Sequence, residues 1–153
     1  MAIDIHSTAF GEGETIPKQH TGDGTDTSPP LQWGEPPAGT RSFALICDDP
    51  DAPRGTWVHW VLFNLPADLR GLDAGVPTQE ALASGAKQGK NDFGKLGYGG
   101  PAPPRGKPHR YFFKLYALDT TLELPAGATK EQLVAAMKGH ELAQGQLMGR
   151  YGR

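Results

Sequence analysis

The 153-residue sequence is short of most features that mark a specialised class of protein. It has a single cysteine, Cys47, so no internal disulfide can form. Cys47 ends the apolar run Phe43-Ala44-Leu45-Ile46-Cys47, which suits a buried structural thiol better than a nucleophile. Charge of one sign is also missing. Fifteen Lys and Arg face seventeen Asp and Glu for a formal net charge of −2, with no basic stripe or arm. Nucleic acid and anionic membrane surfaces are therefore not expected as partners. The longest apolar-rich stretches, near 43–47 and 57–65, are too short to cross a bilayer, so no integral membrane contact is expected. Met1 to His6 has neither the basic region nor the apolar stretch of a secretory signal, which points to the cytoplasm. No repeat or linker divides the chain, and its length is that of one domain, residues 1–153.

What the sequence does have is turn residues. Twenty-one glycines and 14 prolines make up more than a fifth of the chain and disfavour a helical bundle, because both are costly inside helices. Ser42 to Cys47 reads as a strand buried on both faces, with the carboxylate and proline segment Asp48-Asp49-Pro50-Asp51-Ala52-Pro53 interrupting it. Trp57 to Leu65 is the strongest β signal, stopped by Pro66, and His109 to Leu118 is another strand, with Tyr111, Phe113, Leu115 and Ala117 on one face. Residues 10–30 read as a long surface connection holding at most one short strand. Thr78 caps an expected short helix over 78–82. Thr129-Lys130-Glu131-Gln132 is a capping box for a helix burying Leu133, Val134, Met137 and His140, with Gly139 as its stop. Gln146 to Tyr151 reads as a last short strand. The fold class expected is mainly β: a two-sheet antiparallel sandwich with one or two short helices.

The candidate chemistry lies where polar turns meet the strongest strands. Asp49 and Asp51 follow one buried run, His59 lies inside the next, and His109 opens a third. If these strands are neighbours, both imidazoles and a carboxylate converge at one rim. Strict alternation would put Trp57, His59 and Val61 on one face and Val58, Trp60 and Leu62 on the other. A histidine between tryptophans is desolvated unless it meets a partner or a pocket. Asp49-Pro50-Asp51 also suits a plain Asx-turn. The loop from Gly97 to Gly106 lacks the Lys-Ser/Thr ending of a P-loop, but its glycines can bring N–H groups close to an anion. Three readings stay open from these residues. One is an anion pocket, one a His and Asp metal site without ligand-pair spacing, and one a hydrolase using His59 or His109 as base, oriented by Asp49. No Gly-x-Ser-x-Gly nucleophile elbow is present.

The same residues carry a family resemblance. Asp48-Asp49-Pro50-Asp51-Ala52-Pro53, Trp57-Val58-His59-Trp60, and Gly100-Pro101-Ala102-Pro103-Pro104 leading to His109-Arg110-Tyr111 resemble the signature regions of the phosphatidylethanolamine-binding protein family, which includes the Raf kinase inhibitor protein. Ser28-Pro29-Pro30-Leu31-Gln32-Trp33 resembles the segment that precedes them, and Asn91-Asp92-Phe93-Gly94 with Gly97-Tyr98-Gly99-Gly100-Pro101 resembles the bacterial and archaeal branch. The resemblance implies two antiparallel sheets, one large, and a small pocket for phosphate-like anions or phosphorylated headgroups. It implies that Asp49, His59 and His109 line that pocket, that Pro53, Trp57, Gly100, Pro101 and Tyr111 wall it, and that Asp51 orders the loop. It also brings Tyr151 near from the carboxy-terminal end.

By the same analogy a homodimer and a kinase or protease partner are expected. No metal and no cofactor are expected, and binding rather than catalysis is the leading function. A small phosphoester hydrolase using His59 and Asp49 is the alternative. Two departures qualify the resemblance. Ala102 stands where prokaryotic members often carry cysteine, and no long helix of the mammalian type follows to Arg153 to gate the pocket.

Overall fold

A computed structural model describes residues 2–153. Eight strands form two sheets: β1 (Ile5–His6), β2 (Leu31–Trp33), β3 (Ser42–Asp49), β4 (Trp57–Pro66), β5 (Gly71–Leu72), β6 (Lys87–Gln88), β7 (His109–Leu118) and β8 (Glu141–Tyr151). The larger sheet has the order β6-β4-β3-β7-β8 and the smaller β1-β2-β5, with every named pair antiparallel. One helix, α1 (Lys130–Met137), packs on the large sheet. Among the described residues no helix is long and apolar enough to cross a membrane.

The central strand β3 is buried along its whole length, as a continuous apolar run requires, and it extends through Asp48 and Asp49. Its two faces feed two cores. Phe43, Leu45 and Cys47 join Trp60, Leu62 and Phe113 against Leu31 and Trp33 of the small sheet. Ala44 and Ile46 join Val61 and Phe63 under Leu133 and Met137 of α1. Full burial of a leucine- or phenylalanine-sized side chain contributes about 1.5–3 kcal/mol, so the two layers flanking β3 hold it in register.

Helix α1 begins as its sequence requires. Thr129 Oγ1 accepts from Gln132 N (3.2 Å), and Gln132 Oε1 accepts from Thr129 N (3.0 Å). Gly139, at φ 85°, turns the chain after the helix ends. Val134 and His140 depart from expectation. Val134 is exposed, and His140, beyond the helix, donates from Nδ1 to Asp119 Oδ1 (2.8 Å). Eight helical residues present only a narrow stripe to the sheet, which Leu133 and Met137 fill.

Residues 78–82 are not helical. The buried Gln88 amide donates to the carbonyls of Pro77 (2.6 Å) and Gln79 (3.0 Å), so tertiary bonds take carbonyls a helix would need. The 10–30 connection holds a 3₁₀ turn at Lys18–His20 and no named strand. The last strand begins five residues before the expected Gln146. Its outer edge is covered by the amino-terminal segment, through Ile3 N to Gln144 O (3.0 Å) and Ile16 N to Arg150 O (2.8 Å).

Candidate functional site

Antiparallel order brings the end of β3 and the starts of β4 and β7 to one edge of the large sheet. There Asp49, Trp57, His59, His109 and Tyr111 line a cavity of about 180 Å³, completed by Pro53 and Ala52 from the turn after β3. Phe93 and the Ala102-Pro103-Pro104 segment form the remaining wall. Gly100 and Pro101 do not line it. Gly100 N donates to Asp26 Oδ1 (2.7 Å), and Pro101 O accepts from Gly22 N (2.8 Å), so this stretch braces the loop from behind. Tyr151 also lies off the cavity, donating to Asp23 Oδ2 (2.6 Å).

A β-bulge aims His59. Cys47 pairs with Trp60 but Asp48 pairs with Val58, so β4 carries one extra residue at position 59. Strict alternation fails there: Val58 joins Val61 in the core under α1, while Trp60 and Leu62 face the small sheet. The bulged backbone is completed by the loop rather than by a strand. Gly99 N donates to His59 O (2.9 Å), and His59 Nδ1 donates to Gly99 O (2.6 Å). Glycine suits position 99, because a Cβ there would sit 2.7 Å from the Phe93 ring and push it aside.

Phe93 is placed by its neighbours. Asp92 Oδ2 accepts from Val58 N (2.7 Å), and the buried Asn91 accepts from Phe93 N (3.0 Å) and Lys95 N (3.2 Å) through Oδ1. Phe93 stands edge-on to both Trp57 and His59 at 5.5 Å. Its role as a wall was not read from the sequence. The available signal was an aromatic residue inside the turn-forming Asn91-Asp92-Phe93-Gly94 run.

Asp49 is buried and both its oxygens are engaged. Oδ2 accepts from His109 Nδ1 (2.7 Å), and Oδ1 accepts from Asp51 N (2.8 Å), which is an Asx-turn. The two hydrogen bonds expected of Asp49, to an imidazole and to a local N–H, thus coexist. The imidazole is that of His109, so no hydrogen-bonded His59 and Asp49 pair exists. Asp51 in turn accepts from Arg110 N (2.9 Å), Nε (2.9 Å) and Nη2 (2.8 Å), tying the turn to β7. The Arg110 guanidinium holds the Asp51 carboxyl down at about 2.

Both histidines therefore have Nδ1–H committed to an acceptor, and both flank Tyr111, with ring centres 5.2 Å (His59) and 6.5 Å (His109) away. Among the described residues neither Nε2 has a partner, and neither is sealed from solvent. Burial pushes the His59 proton affinity below the ordinary histidine value, opposed by its bond to Gly99 and by the charge of Asp49. In the neutral ring, Nε2 is an acceptor and becomes a donor only on protonation. The glycine N–H groups expected to supply further donors are occupied at both Gly99 and Gly100. Cys47 is buried, and its thiol is pushed well above the usual range by that burial and by Asp48 and Asp49, so it supplies no nucleophile.

Comparison with known proteins agrees with this architecture. The sequence profile described as phosphatidylethanolamine-binding protein matches residues 6–152. A UPF0098 protein of Methanothermobacter thermautotrophicus is 51% identical over 151 residues, covering 99% of each chain. The crystal structure of CT736 from Chlamydia trachomatis, titled as a homologue of that family, superposes with a TM-score of 0.90 at 40% identity, covering 99% of this chain and 98% of its own. E. coli YbcL, described as a member of the mammalian family, superposes at 0.92 with 34% identity, covering 100% and 99%.

Proposed function

The chain belongs to the phosphatidylethanolamine-binding protein family, and from that premise we propose that it is a binding protein whose small cavity takes a phosphate-like anion or phosphorylated headgroup. One observation carries the reading: two imidazoles, each held at Nδ1 and each with Nε2 unpartnered among the described residues, line one cavity. The cavity of about 180 Å³ suits a phosphate group and is smaller than the ~300–1,000 Å³ of sites for drug-sized ligands. Its bracing by Asp49, Asp51 and the Gly99 loop means little ordering on binding.

Charge bookkeeping sets the conditions. A protonated His109 beside Asp49 is a neutral pair, and Arg110 with Asp51 is another, so the net positive charge offered to an anion comes from protonated His59. Binding of a dianion is then coupled to proton uptake and strengthens as pH falls. Calorimetric titration with inorganic phosphate at pH 6 and pH 8 tests this. Saturable binding that is tighter at pH 6 and abolished in His59→Ala is expected. Affinity independent of pH, or retained in His59→Ala, refutes it. A phosphomonoester panel run in parallel is expected to show no turnover. Turnover lost in His109→Ala and Asp49→Asn would instead assign a hydrolase, with the His109 and Asp49 pair as its base.

A further inference from the structure

A second, larger cavity of about 660 Å³ adjoins the first and shares Phe93 and Ala102 with it. Its other walls include Asp26, Thr78, Lys95, Leu96 and Tyr98. We propose that the two cavities form one bipartite site, in which the second compartment holds the hydroxyl-rich ring of a sugar phosphate whose phosphate sits between His59 and His109. The inference rests on the anion reading of the first cavity and extends it to the organic part of the ligand.

The geometry makes the connection. A phosphate fills the small cavity, so whatever is esterified to it must leave past the rim, and Phe93 and Ala102 line both cavities. Phe93 is 42% exposed, a large apolar surface held in place by the Asn91 and Asp92 hydrogen bonds and offered to solvent. Aromatic surface of this kind suits the C–H face of a sugar ring.

The polar groups beyond it are unassigned and of matching chemistry. Asp26 uses Oδ1 to accept from Gly100 N and leaves Oδ2 without a protein partner. It is held at φ 59°, a left-handed conformation that Asp tolerates better than most residues. The Thr78 hydroxyl and Lys95 Nζ likewise make no hydrogen bond or ion pair among the described residues, whereas the Tyr98 hydroxyl is committed to His20 O (2.6 Å). These side chains are exposed and served by water in the free protein, so a ligand that replaces that water must both donate and accept, which a polyol does and an alkyl chain does not.

The test compares glucose 6-phosphate, hexyl phosphate and inorganic phosphate by calorimetry at pH 6 on the full chain. Glucose 6-phosphate is expected to bind at least tenfold more tightly than inorganic phosphate, and hexyl phosphate no more tightly than inorganic phosphate. Thr78→Ala and Lys95→Met, neither of which touches the His59 and His109 cavity, are each expected to erase most of the glucose 6-phosphate advantage while leaving inorganic phosphate unchanged. Equal affinity for glucose 6-phosphate and inorganic phosphate overturns the second compartment and leaves the anion site standing. Preference for hexyl phosphate assigns an apolar occupant and overturns the polyol. Failure of all three to bind removes the anion site and this extension together.

Discussion

The pairing of Asp49 with His109 makes an unusual prediction: removing a carboxylate reduces the pH sensitivity of anion binding. Sulfate is the suitable probe, because it remains a dianion across the histidine range and has no proton to lend. In the native protein both Nδ1 atoms already carry their protons toward Gly99 O and Asp49 Oδ2. Each Nε2 must therefore gain its own proton before it can donate, so a sulfate held by both rings takes up two. Each proton taken up on binding changes affinity about tenfold per pH unit, or about 1.4 kcal/mol. Above the histidine range the native protein should thus lose sulfate affinity by close to two decades per unit.

In Asp49→Asn, the side-chain oxygen can keep its bond from Asp51 N, and the amide NH₂ then faces His109 Nδ1. Nδ1 must accept, and the neutral ring carries its proton on Nε2, already a donor toward the cavity. One proton drops out of the coupling, so the slope should halve to about one decade per unit. Removal of the negative charge adds to this, and at pH 8.5 the variant should bind sulfate more tightly than the native chain. Affinities from chemical-shift titrations at pH 7.5, 8.0 and 8.5 decide the matter. Equal slopes in the two proteins, or a native slope of about one or less, refute the assigned ring states.

Three further outcomes follow from the same structure. Because folding lowers the His59 proton affinity, the unfolded chain binds more protons once pH falls below the ordinary value of about 6.5; stability should drop on acidification through that region. Urea midpoints from pH 8 to 5 should fall less steeply in His59→Gln than in the native protein, and parallel curves would contradict the assignment. Asp48 is buried under Lys130 (2.7 Å) and Lys114 (3.3 Å), so replacing both lysines with Met strands a buried carboxylate and should cost about 3–5 kcal/mol at pH 7 by chemical denaturation. Little cost would mean that water already serves it. Gly99→Ala should displace Phe93 and cost about 1–3 kcal/mol, with weaker anion binding by calorimetry; unchanged stability and affinity would show that the loop yields freely.

The sequence signals that survived are those in which local chemistry and tertiary demand coincide. The apolar run of β3, the alternation of β7 and the Thr129 to Gln132 capping box each announce an element that packing then confirms. The convergence of Asp49, His59 and His109 on one rim followed from the strand assignments and the family resemblance together. What was not legible depends on partners distant in sequence. The bulge at His59 is a property of register against β3 and has no mark of its own in Trp57-Val58-His59-Trp60. The commitment of Gly100 N to Asp26 joins residues 74 positions apart. The first five residues of β8 lay behind Gly145, which looks like a break, whereas the expected strand ran through Gly149 without one. A Cβ at Gly145 would strike the Ile3 carbonyl, and one at Gly149 would press on Phe10 and Ile16, so the amino-terminal segment crosses over these glycines.

One small anion should touch both imidazoles at once. Nitrogen-detected NMR of the histidine side chains during a phosphate titration at pH 6 tests it most directly. The Nε2 resonances of His59 and His109 should shift together with a single dissociation constant, while those of His6, His20 and His140 stay fixed. Movement of only one of the two, or two different constants, would contradict it.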